Sequence, residues 1–468
     1  MSSPNTHAGA DAIGQMLCGV DSIYFIGIGG ISMSSLAMIT ARRGLRVGGY
    51  DRTKTALTES LERMGVTVYD TEDAAHLDGF GAVVYTVAIP DQHAEYAEAK
   101  RRGLPLISRS DYLGYLMLDY AQRIGIAGSH GKSTATCMCA QIFMSAMADP
   151  TVMSGAAMRS MGGAFRLGGN RSMVFEACEY KDSFLDFNPT VAVILNAELD
   201  HVDYFHDMAQ LRASFAAFAE RVGESGTVIY NADDAETVLA MQSVRARRVT
   251  FARHEARADY LALNVCVEQG VASFDLFCRG ERLGRVQLRV PGEHNVYNAL
   301  AAAAAAHECG LCAGSIVRGL GEFCGAERRM EYKGKLNGAV VYDDYAHHST
   351  EVLTTLREAA ELGSGRLICA FQPHTYSRTS MLFDEYVAAL RHADYAVIAP
   401  IYAARETDTL GMSPCVLAEA VGSGVAVGFD DMASVAAELT RVARSGDTVV
   451  IMGAGNIDGI YGMLDLKQ

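Results

Sequence analysis

The sequence predicts an α/β fold of three consecutive units, and three observations carry that reading. Short apolar runs alternate with stretches of helical periodicity along most of the chain. Three such runs end in glycine turns that open a helix, at Gly27-Ile-Gly-Gly-Ile-Ser32, Gly128-Ser-His-Gly131 and Gly453-Ala-Gly455-Asn456. The length, 468 residues, exceeds what one ordinary core organises.

In the first unit, Ser22 to Ile28 is an apolar strand, followed by a helix over Ile31 to Arg42. Leu45 to Tyr50, Val66 to Tyr69 and Ala82 to Val87 read as further strands, and Ala94 to Arg102 as a helix. The second unit starts with a strand over Ile124 to Ala127 and a helix over Ala135 to Met147. It continues with strands Met173 to Glu176, Val191 to Asn196 and Thr227 to Tyr230, and a helix over Met208 to Arg221. From Tyr260 to Arg289 the pattern becomes alternating, with turns at Gln269-Gly270 and Arg279-Gly280, which predicts appended antiparallel hairpins. A helix follows over Asn295 to Glu308. The third unit has strands Ala339 to Tyr342, Arg366 to Phe371, Tyr395 to Pro400 and Thr448 to Met452. The expected organisation is a Rossmann-like domain over 1–120, a P-loop domain with appended antiparallel strands over 121–325, and a second Rossmann-like domain over 326–468.

Composition narrows the function. Half the residues are hydrophobic and 20% are charged, so the chain is not disordered. A net charge of −15 argues against a nucleic-acid partner. It also means that an anionic substrate must be held by local cations and backbone donors. The eleven cysteines are scattered, with no second pair at zinc spacing, and free thiols in a reducing cytoplasm account for them. The first twenty residues contain no Lys or Arg, so no signal peptide is expected. No run of eighteen apolar residues occurs, so no membrane-spanning segment is expected.

The chemistry concentrates at predicted strand ends. Gly128, Ser129, His130 and Gly131, followed by Lys132, Ser133 and Thr134, form a strand, turn and helix start. Backbone N–H groups there face a phosphate, Lys132 reaches its terminal oxygens, and the Ser133 hydroxyl faces Mg²⁺. Glu176 ends the next strand, either as a Mg²⁺-binding carboxylate or as a solvated loop acid, with Glu179 close behind. His201 follows a third strand and is a metal ligand, a general base or a structural histidine. In the first unit Gly27, Gly29, Gly30 and Ser32 approximate a dinucleotide loop, with Asp51 where a ribose partner or a loop cap belongs. Asn295 and Asn298 read a base edge or cap a helix, and Arg329 offers planar donors to phosphate. Asp344, Tyr345 and His347 follow one strand of the third unit, and His374 and Arg378 follow another.

Together these segments resemble the Mur ligases of peptidoglycan synthesis, with ten motifs in family order: FIGIGGISMS, GSHGKST, FEACEYKDSFLDFNP, LNAELDHVDYF, PGEHNVYNALAA, RRMEYKG, YDDYAHHSTE, FQPHTYSRT, PIYAARE and GAGNIDGIYGML. The resemblance implies a cytoplasmic ATP-driven ligase with Mg²⁺ as cofactor. Its substrates would be ATP, UDP-N-acetylmuramate and L-alanine, and it would act through an acyl phosphate. It places Lys132 and Ser133 on the ATP phosphates and Mg²⁺, and Glu176 and His201 as a metal-binding pair. Asn295, Asn298, Arg329 and Asp344 fall at ATP-binding positions, and Tyr345, His347 and Arg378 at the pocket for alanine and the reacting carboxyl. Gly27, Gly29, Gly30 and Ser32 match the UDP-sugar diphosphate loop.

Three departures stand out. Ser129 and Ser133 replace the common Thr, each keeping a hydroxyl, and Ser349 stands where Pro usually follows the two histidines. No Lys occurs between Lys181 and Lys333, so the carbamylated Lys of some relatives is absent from this stretch, as in the alanine-adding branch. The alternative reading within the family is the recycling branch, which attaches a whole tripeptide to the same UDP-sugar. A non-catalytic nucleotide sensor is the alternative outside enzymology, and intact Lys132, Ser133, Glu176 and His201 count against it.

Overall fold

The computed structural model describes residues 7–86, 89–201, 204–268, 270–404 and 406–467. Its first sheet has five parallel strands: β1 (Ser22–Ile26), β2 (Arg46–Tyr50), β3 (Thr67–Tyr69), β4 (Ala82–Tyr85) and β5 (Leu106–Ser108). They lie in the order β3-β2-β1-β4-β5. Strands β1 and β4 are buried along their whole length, which explains why they read as continuous apolar runs. The order reverses beside β1, so the crevice of this sheet opens where the Gly27 loop leaves β1. Strand β1 stops at Ile26, two residues short of the expectation, because Gly27 turns to φ 83. Val87, the expected end of β4, lies outside the described residues.

The second sheet contains β6 (Gln122–Ala127), β7 (Thr151–Met158), β8 (Gly163–Arg166), β9 (Ser172–Glu176), β10 (Val191–Ile194), β11 (Thr227–Asn231), β12 (Arg247–Ala252), β13 (Tyr260–Glu268), β14 (Val271–Cys278) and β15 (Glu281–Pro291). Their order is β15-β14-β13-β12-β11-β10-β6-β9-β7-β8. Strand β6 lies between β9 and β10 and is parallel to both, with Ile124 opposite Val174 and Val191. The turn after β6, Glu176 at the end of β9 and the segment after β10 therefore open at one edge of the sheet. Strands β13 to β15 succeed one another through short connections, as the alternating pattern predicts, although Gln269 of the first turn lies outside the described residues.

The third sheet has β16 (Glu331–Leu336), β17 (Ala339–Asp344), β18 (Leu367–Phe371), β19 (Tyr395–Ile398), β20 (Ala426–Gly428) and β21 (Thr448–Met452), in the order β16-β17-β21-β18-β19-β20. Only β16 runs antiparallel. Two apolar clusters pack on this sheet, one around Leu356, Phe371 and Tyr386, the other around Val397, Leu439 and Ile451.

By packing, the chain forms two compact units. One comprises Met1–Leu263, Asp275–Val286 and Tyr297–Leu320; the other comprises Asn264–Phe274, Gln287–Val296 and Gly321–Gln468. In the former, the first two sheets share one core, in which Phe25, Leu36 and Tyr112 join Phe184, Phe215 and Phe218. Gly114, in the helix Arg109–Met117, packs so tightly there that a Cβ would lie 2.0 Å from the Asp186 carbonyl oxygen. Among the described residues no helix is long and apolar enough to cross a membrane. All eleven cysteines are free.

Candidate active site

The turn after β6 is a phosphate cradle in geometry as well as in sequence. Gly131 has φ 82 and caps the helix Lys132–Ser145, which starts three residues earlier than its periodicity predicts. The first-turn N–H groups of Lys132, Ser133 and Thr134 have no acceptor within the helix and carry its positive dipole end. A Cβ on Gly131 would lie 2.5 Å from Asn298 Oδ1, so glycine is what lets Asn298 close over the turn. Gly128, at φ 142, also packs closely: a Cβ there would lie 2.9 Å from Leu195 Cβ.

Ser129 and His130 are fastened to the segment after β10. Their N–H groups donate to the Asn196 carbonyl at 3.2 Å and to Asn196 Oδ1 at 2.8 Å. The Asn196 amide returns a bond to the His130 carbonyl at 3.1 Å, and Ser129 Oγ donates to the Glu198 carbonyl at 2.7 Å. These two residues therefore brace the cradle, and the donors left for phosphate come from the helix start.

The candidate catalytic groups surround Lys132. Its ammonium donates to the Gly128 and Ser129 carbonyls at 2.6 and 3.0 Å and to Glu179 Oε1 at 3.2 Å. Burial opposes its charge, but the neighbouring acids, Glu179 foremost and Glu176 with it, together outweigh that cost and lift the Lys132 pKa above its ordinary value. Glu176 Oε2 accepts from Ser133 Oγ at 2.7 Å and from the Gly155 N–H at 2.8 Å. His201, with φ 52, brings Nε2 to 3.7 Å from Glu179 Oε1 and packs its ring 4.7 Å from Tyr180.

The donor set suits a hard divalent cation. The Ser133 hydroxyl and the Glu176 carboxylate face each other at hydrogen-bond distance, and both offer hard oxygen donors. Ser133 and Glu176 would hold such an ion. Glu179, close behind Glu176 in the sequence, is the group whose role the sequence reading missed. Its spacing alone gave no sign that it pairs with Lys132.

In the first sheet, the Gly27 and Ile28 N–H groups bond to the Tyr50 carbonyl. Asp51 Oδ2 accepts from the Gly29 N–H at 2.9 Å, and Oδ1 accepts from the Thr53 N–H at 3.0 Å. Asp51 thus ties the glycine loop to the end of β2, the loop-cap role. Gly30 precedes the helix Ile31–Arg42 as a side-chain-free cap, and Ser32 Oγ accepts from Arg109 Nη1 at 3.1 Å.

The remaining residues lie in the second compact unit. Asn295 Nδ2 donates to the Pro291 carbonyl at 2.6 Å, so it ties the start of its helix to the end of β15. Asp344 is buried and accepts from the Met330 and Ala346 N–H groups, both at 2.8 Å. It fixes the turns that present Arg329 and Tyr345. The Arg329 guanidinium lies 5.2 Å from the Tyr345 ring centroid, and that of Arg328 lies 5.0 Å from it.

From Tyr345 an aromatic row continues to His347 at 5.6 Å, on to His374 at 5.8 Å, and from there to Tyr402 at 5.5 Å. Arg378 Nη1 sits 3.2 Å from His374 Nδ1. Burial lowers the His374 pKa, and the Arg378 charge lowers it further, so His374 is neutral and accepts that bond. A row of aromatic rings with a planar cation beside it is suited to a small zwitterion.

Known proteins match the chain along nearly its whole length. Residues 22–121 match the Mur ligase family catalytic domain, 126–306 the Mur ligase middle domain, and 328–455 the Mur ligase glutamate ligase domain. The UDP-N-acetylmuramate–L-alanine ligase of Lachnospira eligens is 43% identical over 439 residues, covering 93% of this chain and 96% of its own. Its counterpart in Caldicellulosiruptor saccharolyticus is 40% identical, covering 94% and 97%. Among solved structures, the UDP-N-acetylmuramate-alanine ligase of Thermotoga maritima aligns with a TM-score of 0.77 at 25% identity, over 94% of this chain and 97% of that one. With full-length relatives at this identity and all three domains matched in order, the chain belongs to the Mur ligase family.

Proposed function

We propose that this chain is a cytoplasmic ATP-dependent ligase that joins L-alanine to UDP-N-acetylmuramate in peptidoglycan precursor synthesis. The observation that carries the reading is the cradle itself: Lys132, Ser133, Glu176 and Glu179 converge at the edge of the second sheet, in a chain aligned along nearly its whole length with alanine-adding ligases. The three matched segments support domains over 1–120, 121–325 and 326–468, for the UDP-sugar, ATP and the amino acid respectively.

In the reaction, a lactyl carboxylate oxygen of UDP-N-acetylmuramate attacks the γ-phosphorus of ATP. ADP leaves, and an acyl phosphate forms. The L-alanine nitrogen then adds to the acyl carbon, and inorganic phosphate departs from the tetrahedral intermediate. Attack by one anion on another needs local positive charge, which Lys132 and the helix N-terminus provide. Bound Mg²⁺ supplies charge neutralisation on the phosphate oxygens, held by Ser133 and Glu176 with His201 beside them. Asn298 and Arg329 serve the nucleotide. Tyr345, His347 and Arg378 orient alanine and the reacting carboxyl.

The test is phosphate release with ATP, Mg²⁺ and UDP-N-acetylmuramate, comparing L-alanine with the murein tripeptide. Turnover with L-alanine supports the proposal. Turnover with the tripeptide alone would transfer the chain to the recycling branch, whose fold it shares: a murein peptide ligase of Psychrobacter arcticus aligns with a TM-score of 0.72 at 24% identity.

A further inference from the structure

Arg109 opens the helix that follows β5 and points its guanidinium at the glycine loop of the first sheet, where Nη1 donates to Ser32 Oγ at 3.1 Å. That bond leaves most of its five N–H donors available. No carboxylate among the described residues forms an ion pair with it, and the acids nearby are engaged by other donors. Asp51 holds the Gly29 and Thr53 N–H groups. Asp111 accepts from the Ala8 N–H at 2.9 Å and from Ser108 Oγ at 2.7 Å. Asp186 meets His7 Nδ1 at 2.7 Å. Burial pulls the Arg109 pKa down and the nearby Asp186 carboxylate opposes that shift, while the Cys178 thiol, kept neutral by its own burial, also lies near the guanidinium. Cys178 follows Glu176 by two residues, so Arg109 stands between the glycine loop and the segment that carries the catalytic carboxylates. A planar cation set against a glycine loop, with no carboxylate among the described residues hydrogen-bonded to it, is suited to receive an anion from outside.

We infer that Arg109 binds an oxyanion of the UDP-sugar, between Ser32 and the segment after β9. This inference rests on the proposed function and adds a residue to it. Two groups of the substrate share the required chemistry: the diphosphate, which the Ser32 side favours, and the lactyl carboxylate, which the Cys178 side favours. In both cases the anion takes two parallel N–H bonds while Ser32 fixes the plane of the guanidinium.

Calorimetry on the full chain separates these cases, using UDP, UDP-N-acetylglucosamine and UDP-N-acetylmuramate as probes, with Arg109→Gln and Arg109→Lys as variants. Loss of a charge-assisted bidentate contact weakens binding by roughly ten- to a hundredfold. If Arg109 holds the diphosphate, Arg109→Gln weakens all three probes. If it holds the carboxylate, only UDP-N-acetylmuramate weakens, because the other two lack that group. Arg109→Lys keeps the charge but not the planar fork, so it recovers part of the loss. It also carries the test if Arg109→Gln melts early. ATP affinity stays at the wild-type level in both variants. Wild-type affinity of folded variants for all three probes would overturn the inference and assign Arg109 to anchoring Ser32. Failure of the wild-type chain to bind UDP-N-acetylmuramate would instead overturn the proposed function.

Discussion

The Lys132 ammonium lies 3.2 Å from the Glu179 carboxylate, and the Glu179 side chain is only 2% exposed. The cation proposed to meet ATP is therefore already paired inside the protein. Such a pair is strongly coupled, because little solvent screens it. It keeps Lys132 charged and aimed along the cradle, and it makes phosphate compete with an internal anion for the same ammonium. His201 Nε2 stands 3.7 Å from the same carboxylate.

Removing one half of the pair and removing both have different consequences. Lys132→Ala leaves Glu179 buried without its cation, at a cost of about 3–5 kcal/mol when a pair is fully buried and less here, where Lys132 is partly open. It also abolishes ligation, with a rate loss of roughly a hundredfold or more. Glu179→Gln removes the competing charge. Its ATP KM stays level or falls, while kcat drops roughly tenfold as Lys132 loses its anchor. The double variant regains most of the thermal stability lost by Lys132→Ala but none of the activity. Steady-state kinetics and melting curves on the three proteins check this; a Glu179→Gln enzyme with wild-type kcat would refute the anchoring role.

Glu176→Gln keeps an oxygen that can accept from Ser133 and Gly155, so the local structure survives. It removes the negative charge that a divalent cation requires. The half-saturating Mg²⁺ concentration should rise about tenfold or more, with UDP-sugar affinity unchanged, since each charge–cation contact contributes on the order of 1.5 kcal/mol or more. Activity titrations against Mg²⁺ that superimpose on wild type would remove Glu176 from the metal site.

The cradle was legible because its meaning is local: glycines, a lysine and a hydroxyl in one short segment specify turn, helix start and charge together. The three glycine turns and the buried strands of each sheet were legible for the same reason. Strands β7 and β8 were not, because Thr151 to Arg166 is dominated by Met, Gly and Ala, with no alternation to mark a face. Strand β12 starts with two exposed arginines that hide its buried end, Phe251 and Ala252. Glu179 and Arg109 were illegible in a deeper sense. Their partners are 47 and 77 residues away along the chain, and only the parallel sheets bring them together. Asp51 reads from the sequence as a ribose partner or a loop cap, and its carboxylate accepts from the Gly29 and Thr53 N–H groups, contacts the sequence did not reveal.

Gly114→Ala tests the shared core of the first two sheets. In an exposed helix this change stabilises by roughly 0.5–1 kcal/mol. Here the sign reverses, because the new Cβ would lie 2.0 Å from the Asp186 carbonyl oxygen, and backbone cannot rotate away as a side chain can. Overpacking of this kind costs about 1–3 kcal/mol, occasionally more. A lower melting temperature is expected, with weakened UDP-sugar binding, since the same helix carries Arg109. A melting temperature at or above wild type would mean that this contact yields without cost.

Arg378 bears on the acceptor pocket. It lies in the helix Tyr376–Met381, whose cap Thr375 has φ 67 and accepts from the Arg378 N–H through its side chain. That turn leads the guanidinium back to His374, and through His374 to the row containing His347 and Tyr345. If the guanidinium receives the alanine carboxylate, Arg378→Ala should raise the alanine KM by roughly ten- to a hundredfold while the ATP KM stays near wild type. If it receives the reacting lactyl carboxyl, kcat falls as well, because the contact is then needed while charge develops. Removing the neighbouring positive charge also raises the His374 pKa, although burial still keeps it below the ordinary histidine value. In the variant, His374 therefore begins to protonate at a higher pH than in the wild type, and the acid limb of the alanine kcat/KM profile shifts upward if His374 must be neutral. An Arg378→Ala enzyme with unchanged constants for all three substrates and an unshifted pH profile would place the acceptor pocket elsewhere in the third sheet.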